Sequence, residues 1–174
     1  LLRTLAMLLQ VFLIILCLQK QKRKKKTRRT FLSSSSTKMK KFDILEHTAD
    51  GKFRAYGKNM EEQFGNALLA MFSFMFKIED VKPEIKKEVK ATGSDEKALL
   101  YNWLEEFLVL LDTDAFIPSR IENIKINKTK EGFKIKGFVL GDSAENYAHG
   151  GSVKAVTYAE MEITDDYVQV VVDL

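Results

Sequence analysis

Between Asn59 and Met75 apolar side chains return every third or fourth residue: Met60, Phe64, Ala67, Leu68, Met71, Phe72 and Met75. That period is a helix with one apolar stripe, and a stripe so rich in Phe and Met has to be covered by a broad partner. The preceding residues can supply one. A strand over 39–46 sets Phe42 and Ile44, with Leu45, inward, and 51–57 alternates Phe53, Ala55 and Gly57 against Lys52, Arg54 and Tyr56. Asp50-Gly51 between them is a hairpin signal. Asn59 and Glu62 have capping-box spacing at the helix start. Glu61, Glu62, Gln63, Asn66 and Ser73 form the expected polar face. The Met and Phe stripe has two readings, core or adaptable partner groove.

The pattern then switches again. Residues 84–92 alternate as a strand with Ile85, Val89 and Ala91 inward. Ser94 is the expected cap of a second helix, with Asp95 and Glu96 in its first turn, where the helix dipole favours anions. Leu100, Trp103, Leu104, Phe107, Leu108 and Leu111 form its seam, and Asn102, Glu105 and Glu106 its narrow polar stripe, as in a helix packed between a sheet and the first helix. Beyond Pro118, strands are expected over 121–127, 133–140, 153–158, 160–163 and 167–172, with a polar loop over 142–151. The order predicts an α+β fold: a single domain with an antiparallel-rich β-sheet and two α-helices on one face.

Charge is unevenly spread. The 174 residues hold 28 Lys and Arg and 24 Asp and Glu, but ten of the basic residues and none of the acidic ones lie in 1–38. Residues 39–174 therefore hold 18 basic and 24 acidic residues, a net of −6, which argues against stable nucleic-acid binding. Residues 1–38 join the apolar run Leu5–Leu18, short of the roughly 20 residues of a membrane span, to a polybasic stretch. They are read as an untranslated or dispensable extension before Met39, with a membrane anchor or a basic interaction arm as alternatives. The single Cys17 excludes a disulfide framework and a zinc set, so cytoplasm is the expected compartment.

Several chemistries have no motif here. "GGSVK" at 150–154 lacks a phosphate loop's ending, and no Gly-x-Ser-x-Gly elbow is present. The last strand carries the chain into "QVVVDL", which places Asp173 and the α-carboxylate of Leu174 on the sheet. If that strand runs beside the first hairpin, Asp50 joins them, and three carboxylates suit Ca²⁺ or Mg²⁺. The alternative is that Asp50 shapes its turn and Asp173 is solvated. His47 either braces the turn, supports the ligands or meets a partner. Lys154, in the apolar run "VKAVTY", is either an edge-strand lysine that discourages pairing or a contact for a partner's carboxylate or a nucleotide phosphate.

"LEHTADGKFRAYGKNMEEQFGNALLAMFS", "LLYNWLEEFLVLLDTD", "HGGSVKAVTYAEMEI" and the terminal "VVVDL" together resemble the archease family, from Met39 to Leu174 in order. The resemblance implies a small cytoplasmic activator of an RtcB-type tRNA-splicing ligase. Such proteins promote guanylylation of the ligase, restore its turnover and broaden the nucleotide triphosphates it accepts. It also implies a calcium site at the Asp of HTAD and the last two residues, here Asp50, Asp173 and Leu174. The sequence departs from the family pattern in three places: Gly51 directly follows Asp50, Ala159 replaces the His after KAVTY, and Asn102 replaces the Asp before Trp103. The functional expectation is an accessory protein rather than an enzyme. A metal-dependent hydrolase using the same carboxylates and a general chaperone-like binding module are the alternatives.

Overall fold

A computed structural model describes residues 40–46 and 50–174. Seven strands and two helices follow in the order β1 (Phe42–Leu45), β2 (Gly51–Tyr56), α1 (Met60–Phe72), β3 (Ile85–Gly93), α2 (Glu96–Asp114), β4 (Phe116–Thr129), β5 (Gly132–Ser143), β6 (Ala155–Ile163) and β7 (Tyr167–Asp173). The fold is α+β with antiparallel pairing, as the periodicity predicts. The strands form two sheets rather than one, ordered β1-β2-β7-β6 and β3-β5-β4. Alternation reveals which face of a strand is buried; it carries no information about which edge is paired, so the split is invisible in the pattern.

Both helices touch both sheets: α1 packs on β1, β2, β7 and β4, and α2 on β3, β4, β5 and β6. One core results, with Phe53, Phe64, Phe72, Trp103, Phe107 and Phe116 almost wholly buried. Asn59 caps α1 by accepting from Glu62 N–H at 2.9 Å, and the Glu62 carboxylate reaches back to Lys58 N–H at 2.9 Å. The expected polar face of α1 is half wrong. Gln63 and Asn66 are buried, because each satisfies backbone carbonyls that no strand reaches. Gln63 Nε2 donates to Thr164 O and Asp165 O in the β6–β7 turn, and Asn66 Nδ2 donates to Tyr56 O at the end of β2.

Other departures have equally local causes. Asp95, not Ser94, caps α2, accepting from Ala98 N–H at 2.8 Å. Helix α2 exposes its expected polar stripe at Asn102 and Glu106, and Val109 extends that exposed side beyond the expectation. Ile44 faces the core side of its sheet opposite Phe53 but is 50% exposed, since β1 is an edge strand; Ile85 is likewise 37% exposed at the start of β3. The expected strands 153–158 and 160–163 are one strand, β6, with a wide bulge. Its pairing with β7 runs from Thr157↔Val171 to Glu162↔Gln169, so five steps along β6 face two along β7. Glu160 takes a left-handed φ of 49° there, and buried Gln169 fills the gap, donating to Glu160 O and accepting from Arg54 Nε. Glycine is required where α2 meets β5: a Cβ on Gly137 would lie 2.8 Å from Trp103 Cη2.

Candidate functional site

The position of the last strand decides whether the acidic residues singled out in the sequence can meet. Strand β7 pairs antiparallel with β2, with Gly51 opposite Val172 and Phe53 opposite Val170. Asp50, one residue before Gly51, and Asp173, one residue after Val172, therefore lie at the same end of the first sheet. On the other side of β7, Ala155 stands opposite Asp173. This brings Lys154 to the same end, where its N–H donates to Asp173 O at 2.8 Å. Four of the five residues singled out thus share one sheet end. The fifth, His47, lies outside the described residues.

Close packing fixes that end. Gly51 is buried, and a Cβ there would come within 2.9 Å of Val172 Cγ2 and 3.0 Å of the Phe74 ring. Only a residue without a side chain lets the backbone just after Asp50 lie flush against β7. The chain after α1 supports it from below, with Phe74 and Phe53 ring centroids 6.3 Å apart. Above, Asp50 is half-buried while Asp173, Lys154 and Leu174 are exposed. Lys154 Nζ donates to the main-chain oxygen of Leu174 at 2.7 Å.

The donors at this end are oxygens throughout: the side-chain carboxylates of Asp50 and Asp173 and the main-chain oxygen of Leu174. Hard oxygen donors fit Ca²⁺ or Mg²⁺ and match thiophilic metals poorly. The Lys154 ammonium against Leu174 already supplies one positive charge at this end. Among the described residues no three His, Cys, Asp or Glu side chains are grouped as a metal centre. The set here has two such side chains, and its third donor belongs to the main chain.

The "KAVTY" run serves a second purpose. Tyr158 stacks on Tyr101 of α2 with ring centroids 4.6 Å apart and an interplanar angle of 5°. Glu105 Oε1 accepts from Val156 N–H at 2.7 Å and clamps α2 to β6. The same carboxylate, nearby, raises the pKa of the Tyr101 hydroxyl, with burial adding to the effect. One further feature has no signature in the sequence. An open groove of about 520 Å³ is lined by Phe42, Phe74, Phe76, Lys77, Glu79 and His149, and His149 sits edge-on to Phe76 at 5.1 Å. Three separate segments build it, so no local spacing could reveal it.

Comparison with known proteins bears on the fold and the family. A profile of the Archease protein family matches residues 42–174. Protein archease of Methanosarcina mazei is 38% identical over 141 residues, which cover 78% of this chain and 97% of that protein. Protein archease of Pyrococcus abyssi is 37% identical over 127 residues, covering 72% and 89% respectively. The solution structure of Methanobacterium thermoautotrophicum protein 1598 superposes with a TM-score of 0.66 at 34% identity, covering 78% of this chain and all of that one. With the profile spanning the whole α+β unit and the relatives matched over nearly their full length, the chain belongs to the archease family.

Proposed function

We propose that this protein is a non-catalytic accessory factor that binds an RtcB-type tRNA-splicing ligase and promotes its guanylylation and multiple turnover. Membership of the archease family supports this reading, and so does the pairing of β2 with β7, which brings Asp50 and Asp173 to one sheet end. An activator works only by binding the competent ligase conformation more tightly than the others. In this reading Asp50, Asp173 and the carboxyl of Leu174 hold Ca²⁺, with Mg²⁺ as the alternative ion. A cation held there would offset the negative charge of Asp50 and Asp173 at that sheet end. Lys154 orients the Leu174 carboxyl, and His47 braces the turn or meets the ligase. In this reading the protein acts in the cytoplasm, as its resemblance to the archease family implies.

The test is multiple-turnover ligation by the cognate ligase, with buffer, with wild-type protein, or with Asp50→Ala or Asp173→Asn variants. Stimulation by wild type, lost together with calcium binding in both variants, is the expected result. Equal ligation with wild type and with buffer rejects the activator role. Stimulation that survives in variants unable to bind calcium rejects only the metal's part in it. Hydrolytic turnover by the purified protein alone, abolished in Asp50→Ala, would favour the enzyme reading instead.

A further inference from the structure

The outer face of the second sheet carries a charge pattern that works against the sheet's own stability. Val89, Ala91, Ile135 and Val139 turn one face of β3-β5-β4 into the core. The alternate residues face away from it. Their middle row is Lys90, Lys136 and Lys125, each directly opposite the next across the three strands, and all three are exposed. Neighbouring strands are about 4.8 Å apart, and like charges directly opposite one another weaken a ladder. Glu88 offsets part of this, with Oε1 at 2.7 Å from Lys90 Nζ and 3.0 Å from Lys136 Nζ. One carboxylate shared by two ammoniums leaves the row positive. Lys134 adds a fourth cation in the next row, between Thr92 and Asn127. The domain average of −6 therefore conceals a basic plane.

The plane also carries an aromatic ring. Phe138 lies one row from the lysines, opposite Glu88 and Asn123, and is half-buried. Lys86 Nζ and Lys136 Nζ lie 4.8 and 5.5 Å from its ring centroid. Rows of cations on a flat sheet beside an aromatic platform are how sheet-based modules hold single strands: phosphates on the cations, bases on the ring. An anionic membrane surface would need apolar anchors, but Leu140 on this face is buried and Phe138 half so.

We propose that the outer face of β3-β5-β4 binds a single-stranded polynucleotide, with Lys90, Lys125, Lys134 and Lys136 on its phosphates and Phe138 against a base. This face is separate from the Asp50–Asp173 end, and its test needs neither ligase nor metal. The full chain, labelled with ¹⁵N, is titrated with an oligouridylate of roughly 12 nucleotides, a length suited to single-strand sites. Amide shifts centred on Lys90, Lys125 and Lys136 that saturate with added oligonucleotide are expected. A Lys90→Gln, Lys125→Gln, Lys136→Gln triple variant should bind about tenfold or more weakly. Its salt dependence should be shallower by about 2, since each phosphate contact contributes about 0.7 to the slope. Its unfolding temperature should be no lower than that of wild type. Shifts confined to other regions, including the basic segment before Met39, overturn the proposal. So do unchanged binding by the folded triple variant, or the same shifts produced by polyaspartate or anionic vesicles; should the triple variant fail to fold, the wild-type shift map alone decides.

Discussion

Buried polar side chains act here as fasteners at the ends of elements. Gln63, Asn66 and Gln169 are each less than 10% exposed, and each closes a gap where a strand ends or bulges. Asp142 is the charged member of this group. Its carboxylate accepts from Tyr147 Oη at 2.7 Å and from Ser143 N–H at 2.8 Å, and these bonds hold its pKa below the usual carboxylate value. A carboxyl depressed only in the folded chain adds stability above the unfolded pKa and loses it as pH falls through the folded value. Tyr147→Phe is therefore expected to be less stable than wild type near neutral pH, by a margin that shrinks below about pH 4. The margin should not vanish, because Tyr147 Oη also accepts from Lys82 N–H at 2.9 Å. Urea unfolding at neutral and acid pH measures this; a margin independent of pH would remove Asp142 titration from the account.

At the scale of elements, caps and bulges place the boundaries that periodicity leaves open. Helix α1 starts where its capping box predicts and ends at Phe72, short of the Met75 that closes the expected stripe, while α2 begins one residue later than the Ser94 reading, because the Asp95 carboxylate takes Ala98 N–H. Both residues suit an N-cap, and the choice follows from where β3 releases the chain. Gly93, the last residue of β3, touches the first turn of α2, where a Cβ on it would lie 2.2 Å from Leu99 N. Asp95→Ala should lower stability by about 1 kcal/mol, while Ser94→Ala should change it by less than about 0.5 kcal/mol. Chemical denaturation of the two variants separates them, and equal losses would return the cap to Ser94. The β6 bulge shows the same limit. Ala159 looks like a break between two strands, yet the chain continues as one strand because Gln169 satisfies the backbone within the bulge.

At the largest scale, the decisive feature among the described residues is that two sheets share two helices. Each helix packs on both sheets, so neither sheet has an apolar face of its own to lose separately. Unfolding of residues 39–174 is expected to be one cooperative transition. Trp103, the single tryptophan, is wholly buried where α2 meets β5, and reports on the second sheet. Its fluorescence and the far-ultraviolet circular dichroism should give superimposable denaturation curves. Curves with separate midpoints would mean that the sheets unfold independently. Charge also has meaning only at this scale: a net of −6 says nothing of where Lys90, Lys125 and Lys136 meet.

The amino-acid sequence by itself determined the elements and the fold class, because period, caps and turn residues are local and are written in consecutive side chains. It also singled out Asp50, Lys154, Asp173 and Leu174 by their type and surroundings. Tertiary structure alone decided that these four share a sheet end, that seven strands divide into two sheets, and that lysines from three strands form one row. Each of those facts depends on strand pairing, and pairing joins residues as far apart in the chain as Gly51 and Val172. No local pattern carries that separation, since the hydrogen-bonding edge of a strand is the same backbone whatever its side chains are.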